Sequence, residues 1–180
     1  MSRFTSIIEE DLIQIIKSLS GKLKKLNGQT LLITGSNGFL CSYIVDTIAK
    51  WNESQSHKSK CKVICIDNNI TGPNERLHHL SQRKDIKFIN YDISKPLVSF
   101  KKINFIIHGA SIASPTTYRK FPLETIDANV NGTRNILELS KKLKVKKVLV
   151  MSTSEIYGDP NKENIPTKES YNGNVSSLGP

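Results

Sequence analysis

TLLITGSNGFLC, residues 30–41, joins a short apolar strand to the start of a helix through a turn that contains two glycines. Glycine permits a tight turn and lets backbone N–H groups approach a pyrophosphate, while the N-terminus of the following helix adds partial positive charge. A second apolar run, KVICID at residues 62–67, ends in an acid. This order of strand, glycine turn, helix and acid-terminated strand predicts a dinucleotide-binding unit.

Asp67 indicates which dinucleotide is bound. A carboxylate at the end of the second strand accepts hydrogen bonds from ribose hydroxyls and repels a 2′-phosphate. Asn68 and Asn69, which follow it, supply no compensating cation. The sequence therefore favours NAD over NADP. Asp92 ends the third predicted strand, where it either contacts the adenine or caps a turn.

Short apolar strands alternate with amphipathic helices from residue 30 onward. The predicted strands span residues 30–34, 62–67, 86–91, 103–108 and 146–151, and the predicted helices span about 38–51 and 122–143. This alternation predicts an α/β fold, a doubly wound parallel sheet with right-handed crossovers and strand order 3-2-1-4-5. An extra N-terminal helix is expected from a capping box at Ser6 and Glu9 to Gly21.

The expected domain organisation has three parts. Residues 1–29 form the N-terminal helix and a linker, residues 30–158 form the dinucleotide-binding domain, and residues 159–180, rich in Pro, Asn, Gly and Ser, form a loop. The 180 residues leave little room for a second, substrate-binding lobe.

Charge and composition limit the classes of molecule that the protein is expected to bind. The net charge is +10, but the lysine clusters at 22–25, 58–62 and 141–147 have no interleaved aromatic residues, so we expect no nucleic-acid partner. No apolar run approaches the ~20 residues that span a bilayer, and we expect no membrane partner. Three cysteines, an odd number, favour a reducing cytoplasm and predict no metal site.

Several motifs resemble the extended short-chain dehydrogenase/reductase family, the NAD-dependent epimerases and dehydratases of nucleotide sugars. They are TGSNGFLC (34–41), DNNITG (67–72), HGAS (108–111) and NVNGTRNIL (129–137), and the similarity extends over residues 30–180. One departure is Cys41, where the family has glycine. The resemblance implies a Rossmann-like fold and a homodimer. The predicted cofactor-binding residues are Gly35, Ser36, Asn37, Gly38, Phe39, Leu40, Asp67, Asn68, Asp92, Ile93, His108, Ala110 and Ser111.

Two further stretches are similar to UDP-glucuronate decarboxylases within that family. ASPTTYRKFP (113–122) implies that Ser114 and Tyr118 contact the substrate, and STSEIYGDP (152–160) implies catalytic roles for Thr153, Ser154 and Glu155. The implied reaction oxidises the sugar C4 hydroxyl, loses carbon dioxide and returns the hydride, forming UDP-xylose. The alternative for Thr153 and Ser154 is to satisfy backbone groups at a strand end. For His108, a hydrogen-bonded structural role is the alternative.

A catalytic base is the missing element. The family uses Tyr-x-x-x-Lys on a helix. The one such spacing here runs from Tyr91, which ends a predicted strand, to Lys95, which precedes Pro96. A residue before proline disfavours the helical conformation, so this pair is not expected to lie on a helix. We expect a truncated chain in which the catalytic helix and the substrate lobe lie beyond residue 180, so that the chain alone is inactive.

Three function classes therefore stand at this stage. The first is part of a nucleotide-sugar enzyme, a decarboxylase or a related dTDP-glucose 4,6-dehydratase or UDP-sugar 4-epimerase. The second is a non-catalytic NAD-binding module, and the third is a basic RNA-associated protein.

Overall fold

Five strands form one sheet in the order β3-β2-β1-β4-β5, which confirms the predicted topology. Their bounds are β1 Thr30–Thr34, β2 Lys62–Asp67, β3 Ile86–Asn90, β4 Phe105–His108 and β5 Lys147–Val150. The pairs β1–β2, β1–β4 and β2–β3 are parallel. The structure is a computed structural model that describes residues 3–72, 75–97 and 99–175. None of the helices in these ranges combines the length and the apolar composition of a bilayer-spanning segment.

The helices differ from the prediction more than the strands do. Their bounds are α1 Arg3–Leu23, α2 Phe39–Glu53, α3 Pro115–Lys120, α4 Pro122–Asp127 and α5 Thr133–Leu143, with a π-helical turn at Ala128–Gly132. The prediction of a start at Ser6 and an end at Gly21 is wrong, because both residues lie inside α1. The expected single helix over 122–143 is divided by the π-helical turn, and α3 was not predicted.

Both faces of the sheet are buried at its central strand β1, as a continuous apolar strand requires, whereas Leu149 and Val150 of the edge strand β5 are exposed. Along β1, Leu31 and Ile33 join a core that includes Val45 of α2, whereas Leu32 joins a core on the opposite face with Ile136 of α5. Leu32 and Ile33 have no solvent exposure. Burying such a side chain contributes about 1.5–3 kcal/mol relative to leaving it exposed, so this alternation fixes which face each helix covers.

The N-terminal helix α1 packs against α2. Leu12 is buried in this contact region, and Glu9 forms an ion pair with Lys50 at 3.0 Å. The Tyr43 hydroxyl donates to Asp11 at 3.2 Å. The helix is therefore an integral layer of the domain on the outer side of α2.

A polar network ties the end of α2 to the starts of β2 and β3. The buried Asn52 side chain donates to the Cys61 carbonyl and to Asp85, both at 2.8 Å, and accepts from the Cys61 N–H at 2.9 Å. Arg83 donates to Asp85 at 2.8 Å and to the Ala49 carbonyl at 3.0 Å. Desolvation opposes ionisation of Asp85, but the hydrogen bonds from Arg83 and Asn52 outweigh it and hold the pKa of Asp85 below its ordinary value.

The chain divides into two compact units, residues 1–149 and 150–180. In the described part of the second unit, 3₁₀ turns form at Ser154–Tyr157 and Lys162–Asn164. Gly158 and Asn174 form an isolated parallel bridge. Gly158 has φ +64°, and a Cβ there would lie 2.1 Å from the Asn174 carbonyl oxygen, so this bridge requires glycine.

Candidate functional site

The turn after β1 has a backbone that only glycine fits. Gly35 has φ +67°, and a Cβ at this position would lie 2.6 Å from the carbonyl oxygen of Gly109 in the loop after β4. Its N–H donates to the Ile66 carbonyl at 2.8 Å. The turn is thereby held between the ends of β2 and β4, at the carboxyl edge of the sheet.

The N-terminus of α2 opens directly from this turn. Gly38 closes it with an N–H to the Gly35 carbonyl at 3.0 Å, and α2 begins at Phe39. The first N–H groups of a helix have no partner within the helix and carry partial positive charge. The N-terminus of α2 is therefore suited to bind an anion such as a phosphate group.

Asp67 connects this turn to the segment after β2. One carboxylate oxygen accepts from the Asn37 N–H at 2.9 Å, and the other accepts from the Asn69 N–H at 2.9 Å. Each carboxylate oxygen has two lone pairs, so both oxygens retain capacity for a ligand hydroxyl. The carboxylate is thus oriented before any ligand arrives.

These elements border an open cleft at the carboxyl ends of the strands. Eight of the predicted cofactor-binding residues line it: Gly35, Gly38, Asp67, Asn68, Asp92, Ile93, Ala110 and Ser111. Eight lining residues were not predicted: Ile66, Ile70, Thr71, Tyr91, Gly109, Ile112, Glu124 and Ala128. Tyr91 and Gly109 adjoin predicted positions in the sequence, whereas Glu124 and Ala128 come from a distant segment without any motif signal.

The other predicted cofactor-binding residues lie outside that lining. Ser36 and Asn37 line a smaller adjoining cavity with Asp67. Phe39 and Leu40 begin α2, and each is 62% exposed. The Asn37 side-chain Oδ1 atom is buried without a hydrogen-bond partner.

His108 is buried between two hydroxyl groups. Its Nδ1 lies 2.7 Å from Thr34 Oγ1 and its Nε2 lies 3.0 Å from Thr133 Oγ1. Burial lowers the pKa of the imidazole, which favours the neutral ring with one donor and one acceptor nitrogen. These contacts join β1, β4 and α5 beneath the cleft, and they correspond to the structural alternative for His108.

The helical wall of the cleft is positioned by Gly132 and Asn135. A Cβ on Gly132 would lie 2.4 Å from Ile93 Cδ1. The Asn135 side chain donates to the carbonyls of Ile93 and Lys95 at 2.8 and 2.9 Å. The resemblance singled out this segment as a motif, and its contacts hold the loop after β3 against the helix.

Asp92 and Ile93 combine a turn role with a place in the cleft. One Asp92 oxygen accepts from the Ser94 N–H at 2.9 Å, as a turn cap does. The second oxygen has no protein donor in the described residues. The turn cap that the sequence left open as one alternative is therefore present, and the adenine contact stays a prediction.

The two predicted substrate contacts belong to α3 and its start. Ser114 Oγ lies 3.0 Å from Thr116 Oγ1, and the Tyr118 side chain is 37% exposed. Neither residue lines the cleft.

The predicted catalytic residues lie in the second unit. Thr153 Oγ1 accepts from the Glu155 N–H at 3.2 Å and caps the 3₁₀ turn that begins at Ser154. All three side chains, of Thr153, Ser154 and Glu155, are exposed. Their internal contacts are those of a local turn.

The Tyr91–Lys95 spacing does not form a helical pair. Tyr91 follows β3, its hydroxyl donates to the Pro96 carbonyl at 2.7 Å, and the Lys95 N–H donates to the Asp92 carbonyl within a turn.

The three cysteines are buried. Desolvation, together with the nearby Asp67 charge, raises the pKa of Cys41 to about 11. Among the described residues, no group of three or more His, Cys, Asp or Glu side chains is placed to hold a metal ion.

Comparison with known proteins gives one family. The model of the NAD dependent epimerase/dehydratase family matches residues 31–178. Among curated proteins, the chain is 38% identical over 149 residues to UDP-glucuronic acid decarboxylase 1 of Arabidopsis thaliana, covering 83% of this chain and 31% of that protein. It is 36% identical over 165 residues to UDP-glucuronic acid decarboxylase 1 of Danio rerio, covering 92% and 35%.

Solved structures show the same fold. A UDP-N-acetylglucosamine 4-epimerase from Methanobrevibacter ruminantium superposes with a TM-score of 0.64 at 26% identity, covering 82% of this chain and 44% of that one. Epimerase Mth375 of Methanothermobacter thermautotrophicus gives a TM-score of 0.71 at 20% identity, covering 87% and 44%. The chain spans between 31% and 40% of the length of the curated relatives it matches.

Proposed function

Because the chain belongs to the NAD-dependent epimerase/dehydratase family, we propose that its cleft binds NAD as part of an enzyme that modifies a nucleotide sugar. The observation that carries this proposal is the joint geometry of Gly35 and Asp67. A glycine that leaves no space for a Cβ, next to the start of α2, admits a pyrophosphate against the backbone, and the oriented carboxylate is one loop away.

Each part of the dinucleotide has residues that fit it. The pyrophosphate lies against the N–H groups at the start of α2, and the ribose hydroxyls donate to Asp67, with Asn68 beside it. The adenine lies near Asp92 and Ile93, where the open Asp92 oxygen accepts from the exocyclic amine. Ala110 and Ser111 border the remaining end of the cleft. NAD, when bound, supplies reversible hydride transfer.

The preference for NAD over NADP follows from Asp67. A 2′-phosphate would bring its negative charge against a carboxylate that the Asn37 and Asn69 amides hold in place. Asp92 and Glu124 line the same cleft and add negative charge. No lysine or arginine lines this cleft to compensate in the part of the chain that the structure describes.

The substrate we propose is UDP-glucuronate, with UDP-xylose as the product. Support comes from the decarboxylase relatives and from the resemblance of residues 113–122 and 152–160 to their sequences. In this scheme Thr153 hydrogen-bonds the C4 oxygen, Ser154 and Glu155 contact the carboxylate region or relay a proton, and Ser114 and Tyr118 contact the sugar. A 4-epimerase is the second candidate, because the fold matches that of a UDP-N-acetylglucosamine 4-epimerase at 26% identity.

The chain alone should bind without turnover. The family's base is a tyrosine with a lysine four residues later on one helical face, and the only such spacing in the 180 residues, Tyr91–Lys95, is not helical. We therefore propose that residues 30–158 form the cofactor-binding domain and that turnover needs residues this sequence does not contain.

Calorimetric titration tests the cofactor proposal. NAD should bind the parent chain more tightly than NADP, and Asp67→Ala should weaken NAD binding about 10-fold or more through loss of charge-assisted hydrogen bonds. Asp159→Ala removes an exposed carboxylate of the second unit and serves as the matched control. Absence of heat with NAD, or equal binding of NADP, would contradict the proposal.

Product analysis tests the substrate proposal on a longer protein that contains this sequence together with a helical Tyr-x-x-x-Lys pair. With NAD it should convert UDP-glucuronate into UDP-xylose and carbon dioxide, and Thr153→Val should reduce the rate. A 4,6-dehydrated or 4-epimerised product from a nucleotide sugar would overturn the assignment to decarboxylation.

A further inference from the structure

The amino ends of the strands carry a continuous array of lysines, here called the lysine edge. It draws on four segments that are far apart in sequence: residues 24–29, 58–62, 101–104 and 144–147. Its members are Lys24, Lys25, Lys58, Lys60, Lys62, Lys101, Lys102, Lys144, Lys146 and Lys147. All are exposed except Lys60, which is half-buried.

Backbone hydrogen bonds show that these segments adjoin one another. The Gly28 N–H donates to the Ser59 carbonyl at 3.0 Å, which links the first two segments. The Asn104 N–H donates to the Thr30 carbonyl at 2.8 Å, and the Lys146 N–H donates to the Asn104 carbonyl at 2.9 Å. The segments precede the four adjacent strands β2, β1, β4 and β5, and at about 4.8 Å spacing these make the edge roughly 15 Å wide.

The positive charge of the lysine edge is not compensated locally. The four segments contain no acidic residue, and none of the ten lysines forms an ion pair among the described residues. The nearest acids at this end, Glu53 and Asp85, both pair with Arg83. The C-termini of α1, α2 and α5 together add only about −1.5 charges. The charge of ten lysines exceeds this partial negative charge several-fold, so compensation of the helix dipoles does not account for them.

The chemistry of the edge selects among anionic partners. It has no arginine, and lysine ammonium groups are hydrated point charges without the planar fork that grips a single phosphate. It has no exposed aromatic side chain for stacking on bases, since Phe105 lies under Lys146 at 5.7 Å. A broad array of this kind matches a planar anionic surface.

We propose that the lysine edge adsorbs the protein reversibly to anionic lipid bilayers, with the cofactor cleft at the opposite end of the sheet. The contact is electrostatic, because none of the exposed large apolar side chains belongs to the four segments. This proposal replaces the expectation of no membrane partner, which rested on the lack of a bilayer-spanning apolar run and did not consider adsorption through charge. It does not depend on the proposed function.

Vesicle sedimentation tests the proposal with the full 180-residue chain. The chain should sediment with phosphatidylcholine vesicles that contain about 30% phosphatidylserine at 0.05 M salt, not with phosphatidylcholine alone, and should be released at 0.5 M salt as the charges are screened. The triple variant Lys58→Glu, Lys102→Glu, Lys147→Glu should lower the partition coefficient roughly 100-fold or more.

The matched control has the same change of net charge at other exposed lysines: Lys17→Glu, Lys95→Glu, Lys120→Glu. It should retain most of the binding. Equal loss in both triples, or no sedimentation of the parent at low salt, would overturn the proposal. Duplex RNA that displaces the parent from vesicles at equal phosphate concentration would reassign the edge to a polynucleotide. Should the glutamate triple fail to fold, the Lys→Gln triple at the same positions makes the same comparison.

Discussion

The two ends of one sheet are built on different principles. At the carboxyl ends of β1, β2 and β4, Gly35 lies against Gly109 and Asp67 accepts two backbone N–H groups, so the backbone itself has a defined shape. At the amino ends, the backbone segments are joined in a similar way, but the lysines extend into solvent. The carboxyl end is defined by the shape of its backbone, whereas the amino end is defined by the charge of its exposed side chains. Substitutions at each end should therefore fail in different ways.

The largest effect is expected at the carboxyl end, from Gly35→Ala. The added Cβ would lie 2.6 Å from a backbone oxygen at φ +67°, so the turn must move. We expect a loss of about 4 kcal/mol in the free energy of unfolding and no measurable NAD binding. Urea unfolding and calorimetry measure both quantities.

Gly21→Ala is the control for that change. No atom lies within 4 Å of the Cβ position on Gly21, which is inside α1, so the variant should gain up to about 1 kcal/mol. A mild effect at Gly35 comparable to that at Gly21 would show that the turn is not constrained as described.

At the amino end, the largest effect is expected from Asn52→Ala. The change leaves the N–H and carbonyl of Cys61 without partners in a buried site and removes a hydrogen bond to Asp85. The expected loss is about 3 kcal/mol in urea unfolding, with little change in NAD affinity per folded molecule. Asn131→Ala, at an exposed amide bonded to Asp127, should cost less than about 0.5 kcal/mol. A parallel loss of NAD affinity in Asn52→Ala would mean that the two ends are coupled.

A smaller effect is expected from acid at His108. Its pKa is lowered by burial in the folded state, so the unfolded chain takes up the proton first. Stability is present above the unfolded pKa of about 6.5 and is lost as pH falls below it towards the folded value, by at most about 1.4 kcal/mol per pH unit. Urea unfolding between pH 7.5 and 5.5 measures the slope.

Two variants compare His108 with one exposed histidine. His108→Gln should flatten that slope, whereas His57→Gln, at an exposed position, should leave it unchanged. A slope that persists in His108→Gln would assign the pH dependence to other groups.

The smallest effect is expected in the second unit, from Thr153→Ala. The hydroxyl caps an exposed 3₁₀ turn through one bond of 3.2 Å, and its loss should cost less than about 1 kcal/mol. Ser152→Ala is the neighbouring control. A loss above 2 kcal/mol would show that Thr153 supports more of the structure than its local turn.

The sequence predicts the sheet well because short apolar strands leave a local signal. The strands at Thr30–Thr34 and Lys62–Asp67 match their predicted limits, and the strand order follows from right-handed crossovers. Half of the cleft lining could be predicted because it follows the strand ends directly. The contribution of Glu124 and Ala128 could not, since it depends on how a distant helix packs.

Long-range contacts also explain the other differences. The helix over 122–143 is interrupted at Ala128–Gly132, where Gly132 meets Ile93, a residue some forty positions earlier. The direction of the His108 side chain depends on Thr133 in the same way. The lysine edge shares this origin, because its four segments look like unrelated loops until the sheet brings them together.

The dual attachment of Asp67 has a consequence for how this cleft can change through evolution. The same carboxylate that would discriminate between the two coenzymes also braces the glycine bend through the amide of Asn37. Replacing Asp67 to admit a phosphorylated coenzyme would at the same time remove the hydrogen bond that holds the Asn37 amide in place. A switch in coenzyme preference should therefore require a compensating substitution in the bend, which makes single-step drift between the two coenzymes improbable.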